Sequence, residues 1–255
     1  MSHRSTTGSA ADAGPDAISA GRARPDSEPS GSSAAAGALR EWAGVPRAVA
    51  RRELAPGVVL IEGFLDLDAQ RALVARCREL EAACGMYTPV VRGGRRMRLR
   101  MLCLGRHWNA LTYRYETART DFDGRPVPPL PDDLAALARR AAAEAGMPFD
   151  PDICLVNYYD EGGRLGLHQD KDESPEAIAS GAPVASISVG DTAKFLLGGL
   201  RRRDPVEALW LRSGDALVFG GPARLRYHGV ARILPGTAPP GLELSGRYNL
   251  SFRRY

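Results

Sequence analysis

The stretch Gly166-Leu167-His168-Gln169-Asp170-Lys171-Asp172-Glu173 sets an imidazole and a carboxylate two positions apart. In an extended segment, side chains two positions apart leave the backbone on the same face. A neutral imidazole beside a carboxylate can hold a divalent metal. A second imidazole from elsewhere would complete a facial set of two histidines and one carboxylate. That donor set suits iron(II) and leaves three coordination positions open. Alone, the pair is weak evidence, since a hydrogen-bonded surface or core histidine is the commoner reading.

The chain has four histidines, His3, His107, His168 and His228. His3 sits far from any apolar segment, so His107 and His228 are the candidates for the second imidazole. His228 lies in Arg224-Leu225-Arg226-Tyr227-His228-Gly229, between two β-like segments. In a jelly roll a late strand can pair beside an early one, which favours His228. The alternative is a partly buried histidine bonded to backbone.

The last apolar segment is Arg247-Tyr248-Asn249-Leu250-Ser251-Phe252-Arg253. Alternation places Arg247, Asn249, Ser251 and Arg253 on one face and Tyr248, Leu250 and Phe252 on the other. The polar face is either a solvent face or the lining of a barrel that holds a dianion, because arginine grips carboxylates with paired hydrogen bonds. Asn157 and Tyr159 share a face in the same way, with Tyr158 opposite.

With 44% apolar and 25% charged residues, the 255-residue chain has a globular composition. No apolar run reaches the roughly 18 residues that a membrane span needs, and no secretory signal is evident. Cys77, Cys84, Cys103 and Cys154 show no CxxC spacing and read as free thiols, which suits a reducing cytoplasm. A net charge of +4 permits a polyanionic partner without requiring one. A monomer is the default state.

Residues 1–45 are rich in Ser, Ala, Gly and Pro and are expected to form a disordered tail. Residues 46–255 are expected to form one domain. Val58–Ile61 reads as a strand. Asp66 or Asp68 can cap a helix carrying Leu73, Cys77, Leu80 and Cys84 on one stripe, stopped by Gly85. A second helix is expected from Pro131 to Ala145, and a strand over Met97–Leu104. Short strands then follow at Ile153–Tyr159, Val184–Val189, Lys194–Leu197, Ala208–Leu211, Ala216–Phe219, Gly229–Leu234 and Arg247–Phe252. Many short strands with Gly and Pro between them predict a mainly β, α+β domain built as a sandwich or jelly roll with flanking helices.

Asn157-Tyr158-Tyr159, Leu167-His168-Gln169-Asp170-Lys171-Asp172-Glu173, Tyr227-His228-Gly229 and Arg247-Tyr248-Asn249-Leu250-Ser251-Phe252-Arg253 together resemble AlkB, a family of Fe(II)- and 2-oxoglutarate-dependent dioxygenases that repair alkylated bases. Phe195-Leu196-Leu197-Gly198-Gly199-Leu200 and Gly214-Asp215-Ala216-Leu217-Val218-Phe219-Gly220-Gly221 add to the likeness, which covers roughly residues 55–255. It implies a double-stranded β-helix with an N-terminal nucleotide-recognition lid. It also implies His168, Asp170 and His228 as iron ligands and catalytic centre. Arg247 and Arg253 would hold 2-oxoglutarate, with Asn157, Tyr158, Tyr159 and Asn249 in the same motifs. Trp108, Tyr115, Asp172 and Arg202 would contact the substrate.

The reaction implied is oxidative demethylation of 1-methyladenine or 3-methylcytosine in DNA, with O₂ as cosubstrate and formaldehyde and succinate as products. The partner would be alkylated single- or double-stranded DNA, or RNA, with no membrane involved. The segment Arg92 to Arg106 carries six arginines, more than the likeness implies for this lid, and the arginines near Arg95 to Arg106 and Arg201 to Arg203 would hold phosphates. Three other readings use the same residues differently: the same centre acting on methylated RNA or a protein side chain, a nucleic-acid-binding module with an inactive centre, and a structural β-sandwich in which the HxD pair is incidental.

Overall fold

Val58-Val59-Leu60-Ile61 has no polar residue on either face, so it needs apolar cover on both sides. In the computed structural model it receives it. The structure describes residues 49–255; the tail expected over 1–45, with His3, lies outside the described residues. The run forms β2 (Val58–Glu62) inside a seven-stranded sheet. Val58 and Leu60 face a second sheet, while Val59 and Ile61 face helices.

The other strands of the large sheet are β1 (Ala50–Ala55), β3 (Arg100–Leu104), β6 (Ile153–Tyr159), β8 (Val184–Gly190), β11 (Ala216–Phe219) and β13 (Arg247–Arg253). Their order across the sheet is β1-β2-β11-β8-β13-β6-β3, with antiparallel pairing throughout. The small sheet has four strands, β7 (Leu165–His168), β9 (Thr192–Leu197), β10 (Glu207–Leu211) and β12 (His228–Leu234), in the order β10-β9-β12-β7. Apolar side chains from both sheets meet between them, including Leu60, Leu155, Tyr159, Leu217 and Phe219 from the large sheet and Ala193, Phe195, Leu211 and Ile233 from the small one. Two facing antiparallel sheets joined by crossovers make a jelly roll.

The far side of the large sheet is covered by α1 (Leu67–Cys84) and α2 (Asp132–Glu144). Asp66 caps α1 by accepting a hydrogen bond from Ala69 N at 2.8 Å, and Gly85 ends it with φ 74°. Leu73, Val74, Cys77 and Leu80 form its buried stripe. Burying each of the larger apolar side chains contributes about 1.5–3 kcal/mol. All four cysteines are free, and burial pushes the Cys77 and Cys103 thiols up to about 12. A five-residue helix, α3 (Pro175–Ala179), follows the HxD stretch, capped by Ser174.

Between α1 and α2 the chain crosses one mouth of the sandwich and forms a hairpin of β4 (His107–Asn109) and β5 (Arg114–Glu116). The strand expected over Met97–Leu104 begins only at Arg100. Among the named strands β3 pairs with β6, bridging on its other side to Tyr87 through Met101, and Arg100 stands opposite Tyr158, one residue before β6 ends. Upstream the backbone finds only single bridges, Arg98 with Arg164 and Arg96 with Val90.

Candidate metal centre

β7 and β12 are antiparallel neighbours, and His168 stands directly opposite His228 in their register. Residues opposite one another in adjacent strands put their side chains on the same face within reach of each other. The two imidazole centroids are 4.4 Å apart. Gly229 makes the approach possible: a Cβ there would lie 2.6 Å from the carbonyl oxygen of Leu165. Asp170 follows the end of β7. Its Oδ1 is 3.5 Å from His168 Nε2, and its Oδ2 is 3.6 Å from His228 Nε2. One donor atom from each of the three residues lies within 4.8 Å of the others.

The tautomers follow from the backbone. His168 Nδ1 donates to Gly166 O at 2.9 Å and His228 Nδ1 donates to Arg226 O at 3.1 Å. A carbonyl oxygen only accepts, so the proton sits on Nδ1 and the Nε2 lone pair is left for a cation. Burial pushes the His228 imidazole down to about 4, with His168 adding to the effect. Burial works against the Asp170 carboxylate, but Arg253, His228 and His168 hold it well below the usual range. Two imidazoles and one carboxylate around a single point match the donor set of an iron(II) site with open positions.

Asp170 is also anchored. Arg253 donates to its Oδ2 from Nε at 2.9 Å and from Nη2 at 2.6 Å. Arg253 Nε lies 3.2 Å from Glu173 Oε1, and Tyr115 donates its hydroxyl to the same oxygen at 3.3 Å. Arg224 Nη2 is 3.0 Å from Glu173 Oε2, and Arg224 Nη1 donates to the Asp170 carbonyl. Two carboxylates and two guanidiniums, all buried, thus form one network beneath the histidines. Glu173 and Arg224 have no role in the sequence reading. Both stand inside the quoted stretches, but nothing in their spacing shows that they would meet.

A cavity of about 980 Å³ opens beside this network. Asn157, His168, Asp170 and Arg253 line it, as do Trp108, Tyr115, Asp172 and Arg202. Asn157 Oδ1 is buried and has no hydrogen-bond partner, which leaves an acceptor aimed at a ligand or water. Arg247, Tyr159 and Asn249 are not in the cavity wall. Arg247 is 1% exposed, and its guanidinium donates to neutral oxygens: Asp191 O at 2.9 Å, Leu211 O at 3.1 Å and Ser188 Oγ. Burial lowers its pKa to about 10. Tyr159 stands directly opposite Arg247 in the register of β6 and β13. Asn249 donates to Ser186 Oγ at 2.8 Å. A buried guanidinium answered by neutral acceptors gains from an added anion.

Tyr158 does not belong with these residues. It faces the helix side of the sheet, where its hydroxyl donates to Ser245 O at 2.7 Å and its ring meets Tyr248 and Arg100. Strand alternation requires this placement once Asn157 and Tyr159 point inward.

Trp108 Nε1 donates to Asp172 Oδ2 at 2.8 Å, so the hairpin and the HxD loop are joined across the cavity. Tyr115 lines the cavity but offers no free ring. It packs edge-on against Tyr255, and its hydroxyl is held between Glu173 and Arg253. Arg202 sits at the rim, donating to Leu167 O at 2.9 Å. His107 is fully buried beside Asp121 and Tyr87 in the hairpin and takes no part in the three-residue centre.

The family model described as 2OG-Fe(II) oxygenase superfamily matches residues 57–253. An Alpha-ketoglutarate-dependent dioxygenase AlkB homolog from Caulobacter vibrioides is 42% identical over 224 residues, covering 82% of this chain and 97% of its own length. AlkB of Escherichia coli strain K12 is 38% identical over 205 residues, covering 79% and 91%. DNA N(6)-methyladenine demethylase ALKBH1C of Arabidopsis thaliana is 42% identical over 222 residues, covering 78% of this chain and 49% of its own length. The chain therefore spans about half the length of that relative. Among solved structures, that of OsALKBH1 superimposes with a TM-score of 0.76 at 39% identity, covering 81% of this chain and 100% of its own. Taken with the jelly roll and the His-Asp-His centre, these matches mean that the chain belongs to the 2OG-Fe(II) oxygenase superfamily and, within it, to the AlkB dioxygenases, whose cofactor and cosubstrates are Fe(II), 2-oxoglutarate and O₂.

Proposed function

We propose that the chain oxidatively demethylates N-alkylated bases in DNA, with 1-methyladenine and 3-methylcytosine as substrates and formaldehyde and succinate as products. The observation that carries the reading is the cross-strand pairing of His168 with His228 beside Asp170. In this reading His168, Asp170 and His228 hold Fe(II). Arg253 and Asn157 take one end of 2-oxoglutarate and Arg247 the other, with Tyr159 and Asn249 between them. The bound metal, with 2-oxoglutarate and O₂, supplies the oxidation of an N-linked methyl group.

The chain's own residues do the rest. Arg253 occupies Asp170 Oδ2, so Oδ1 would be the oxygen left to hold the metal. The Asp172 carboxylate favours a base that carries positive charge, as 1-methyladenine and 3-methylcytosine do and normal bases do not. Trp108 offers an aromatic face to stack on the base. The hairpin and the segment before it act as the nucleotide-recognition lid. The target must leave its stack, at a cost of a few kcal/mol that falls when methylation already prevents pairing. Arg95, Arg96, Arg98 and Arg202 line the cavity and would hold phosphates. The four free thiols support a cytoplasmic enzyme, and residues 46–255 would form its one catalytic domain.

Formaldehyde release from a methylated single-stranded oligonucleotide, with Fe(II) and 2-oxoglutarate, is the direct test. His168→Ala is expected to abolish it, and equal release by the variant would overturn the assignment of the centre. The name of the Arabidopsis relative favours a second reading, N6-methyladenine in DNA. That base is neutral, so side-by-side turnover of N6-methyladenine and 1-methyladenine separates the two. The same oligonucleotides as RNA settle the nucleic acid.

A further inference from the structure

α1 and α2 pack against β8 and β11 of the large sheet. The outer face of the small sheet is open instead, with Ala208, Ala231 and Arg232 exposed. On that face Trp210, Lys194 and Arg232 form one cross-strand row, Trp210 opposite Lys194 and Lys194 opposite Arg232. Lys194 Nζ is 6.0 Å and Arg232 Cζ 5.8 Å from the centre of the indole. Among the described residues neither cation forms an ion pair with a carboxylate, and the indole is the partner of both.

The next row toward the candidate centre is Ala208, Leu196 and Gly229, two residues or about 7 Å along β9 and β10 and three residues along the bulged β12. Leu196 and the bulged Ala231 line the cavity itself. The Trp210 row therefore continues the cavity's mouth across the outside of the small sheet. A partly buried indole flanked by two cations that form no ion pair among the described residues is the pairing that single-stranded nucleic acid uses: a ring for a base and charges for the adjoining phosphates.

We propose that Trp210, Lys194 and Arg232 bind the single-stranded segment that flanks the target nucleotide, with one unmodified base stacked on the indole. This rests on a nucleic acid being the substrate. It adds a contact outside the catalytic cavity, reached by a strand that runs over the Leu196 row. It predicts that substrate length matters, because a short oligonucleotide fills the cavity without reaching Trp210.

The test uses the full chain, with a methylated trinucleotide and a methylated 12-mer as substrates and an unmethylated 12-mer for binding by fluorescence anisotropy. Trp210→Ala should weaken 12-mer binding at least ~5-fold and raise KM for the methylated 12-mer, leaving trinucleotide turnover unchanged. Lys194→Gln with Arg232→Gln should reduce the slope of log affinity against log salt by about 1.4, at roughly 0.7 per phosphate lost. Formaldehyde release by the wild type from the trinucleotide reports on the parent reading alone, and the length dependence reports on this one. Wild-type affinity for the 12-mer in both variants would overturn the proposal. So would equal losses on the short and the long substrate.

Discussion

Arg224 ties the two halves of the metal centre together, and its removal has a calculable effect. It lies four residues before His228, and its guanidinium reaches across to the Asp170 carbonyl and to Glu173 Oε2 at 3.0 Å. Arg224→Met keeps the apolar stem and deletes the charge. Stranding a buried carboxylate costs about 3–5 kcal/mol. Glu173 keeps Arg253 at 3.2 Å and Tyr115 at 3.3 Å, so the loss should fall at the low end, about 3 kcal/mol. Adding Glu173→Gln removes the stranded charge. The double variant should then be more stable than the sum of the single losses predicts, with a coupling energy of about 1.5–3 kcal/mol. Urea unfolding of the metal-free protein, followed by circular dichroism, gives all four stabilities of the cycle. Iron affinity of the four proteins provides a second readout, since a strut between the ligand-bearing strands should affect it beyond any change in stability. A coupling energy under about 0.5 kcal/mol would show that the pair does not act as a unit and refute the reasoning.

Two further outcomes concern charge. His228 has a folded-state pKa lowered by burial to about 4, against about 6.5 when unfolded. Its neutral form therefore stabilises the metal-free fold fully above about pH 6.5, and that stability is lost as pH falls toward 4, by roughly 3 kcal/mol. Unfolding midpoints of the apoprotein between pH 7 and 4 should drop accordingly, and His228→Gln should flatten the profile; an unchanged slope in the variant would assign the loss elsewhere. Asp172→Asn keeps an acceptor for Trp108 Nε1 but removes the charge. It should lower kcat/KM for cationic 1-methyladenine about 10-fold and leave neutral N6-methyladenine nearly unaffected, so an equal effect on both would show that charge is not what Asp172 contributes.

The sequence makes the strands of the jelly roll legible because their pattern is strict. β13 alternates polar and apolar residues over its whole length, and the structure puts Tyr248, Leu250 and Phe252 under the helices and Arg247 and Arg253 inside. Tyr158 shows how far that pattern can be trusted. Motif resemblance grouped it with Asn157 and Tyr159, whereas alternation alone set it on the other face, where it lies. The boundary of β3 was not legible, since it depends on where β6 stops. Nor was β1, an edge strand whose Arg51, Arg52 and Glu53 are exposed and carry no apolar period. The Glu173–Arg224 pair was hidden for another reason. Its members are 51 residues apart (224 − 173), and only the closing of the small sheet brings them together.

Gly229 has no chemistry to contribute, yet it sets how near two strands can come. The Leu165 carbonyl occupies the space that any side chain there would need. A methyl group would push β7 away from β12 and pull the facing imidazoles apart while leaving all three donors in the sequence. Loss of activity in a natural variant at this position would mimic deletion of a ligand, although an inspection of donor residues alone would pass the chain as intact. The spacing of this centre is encoded by an empty volume as much as by the groups that surround it.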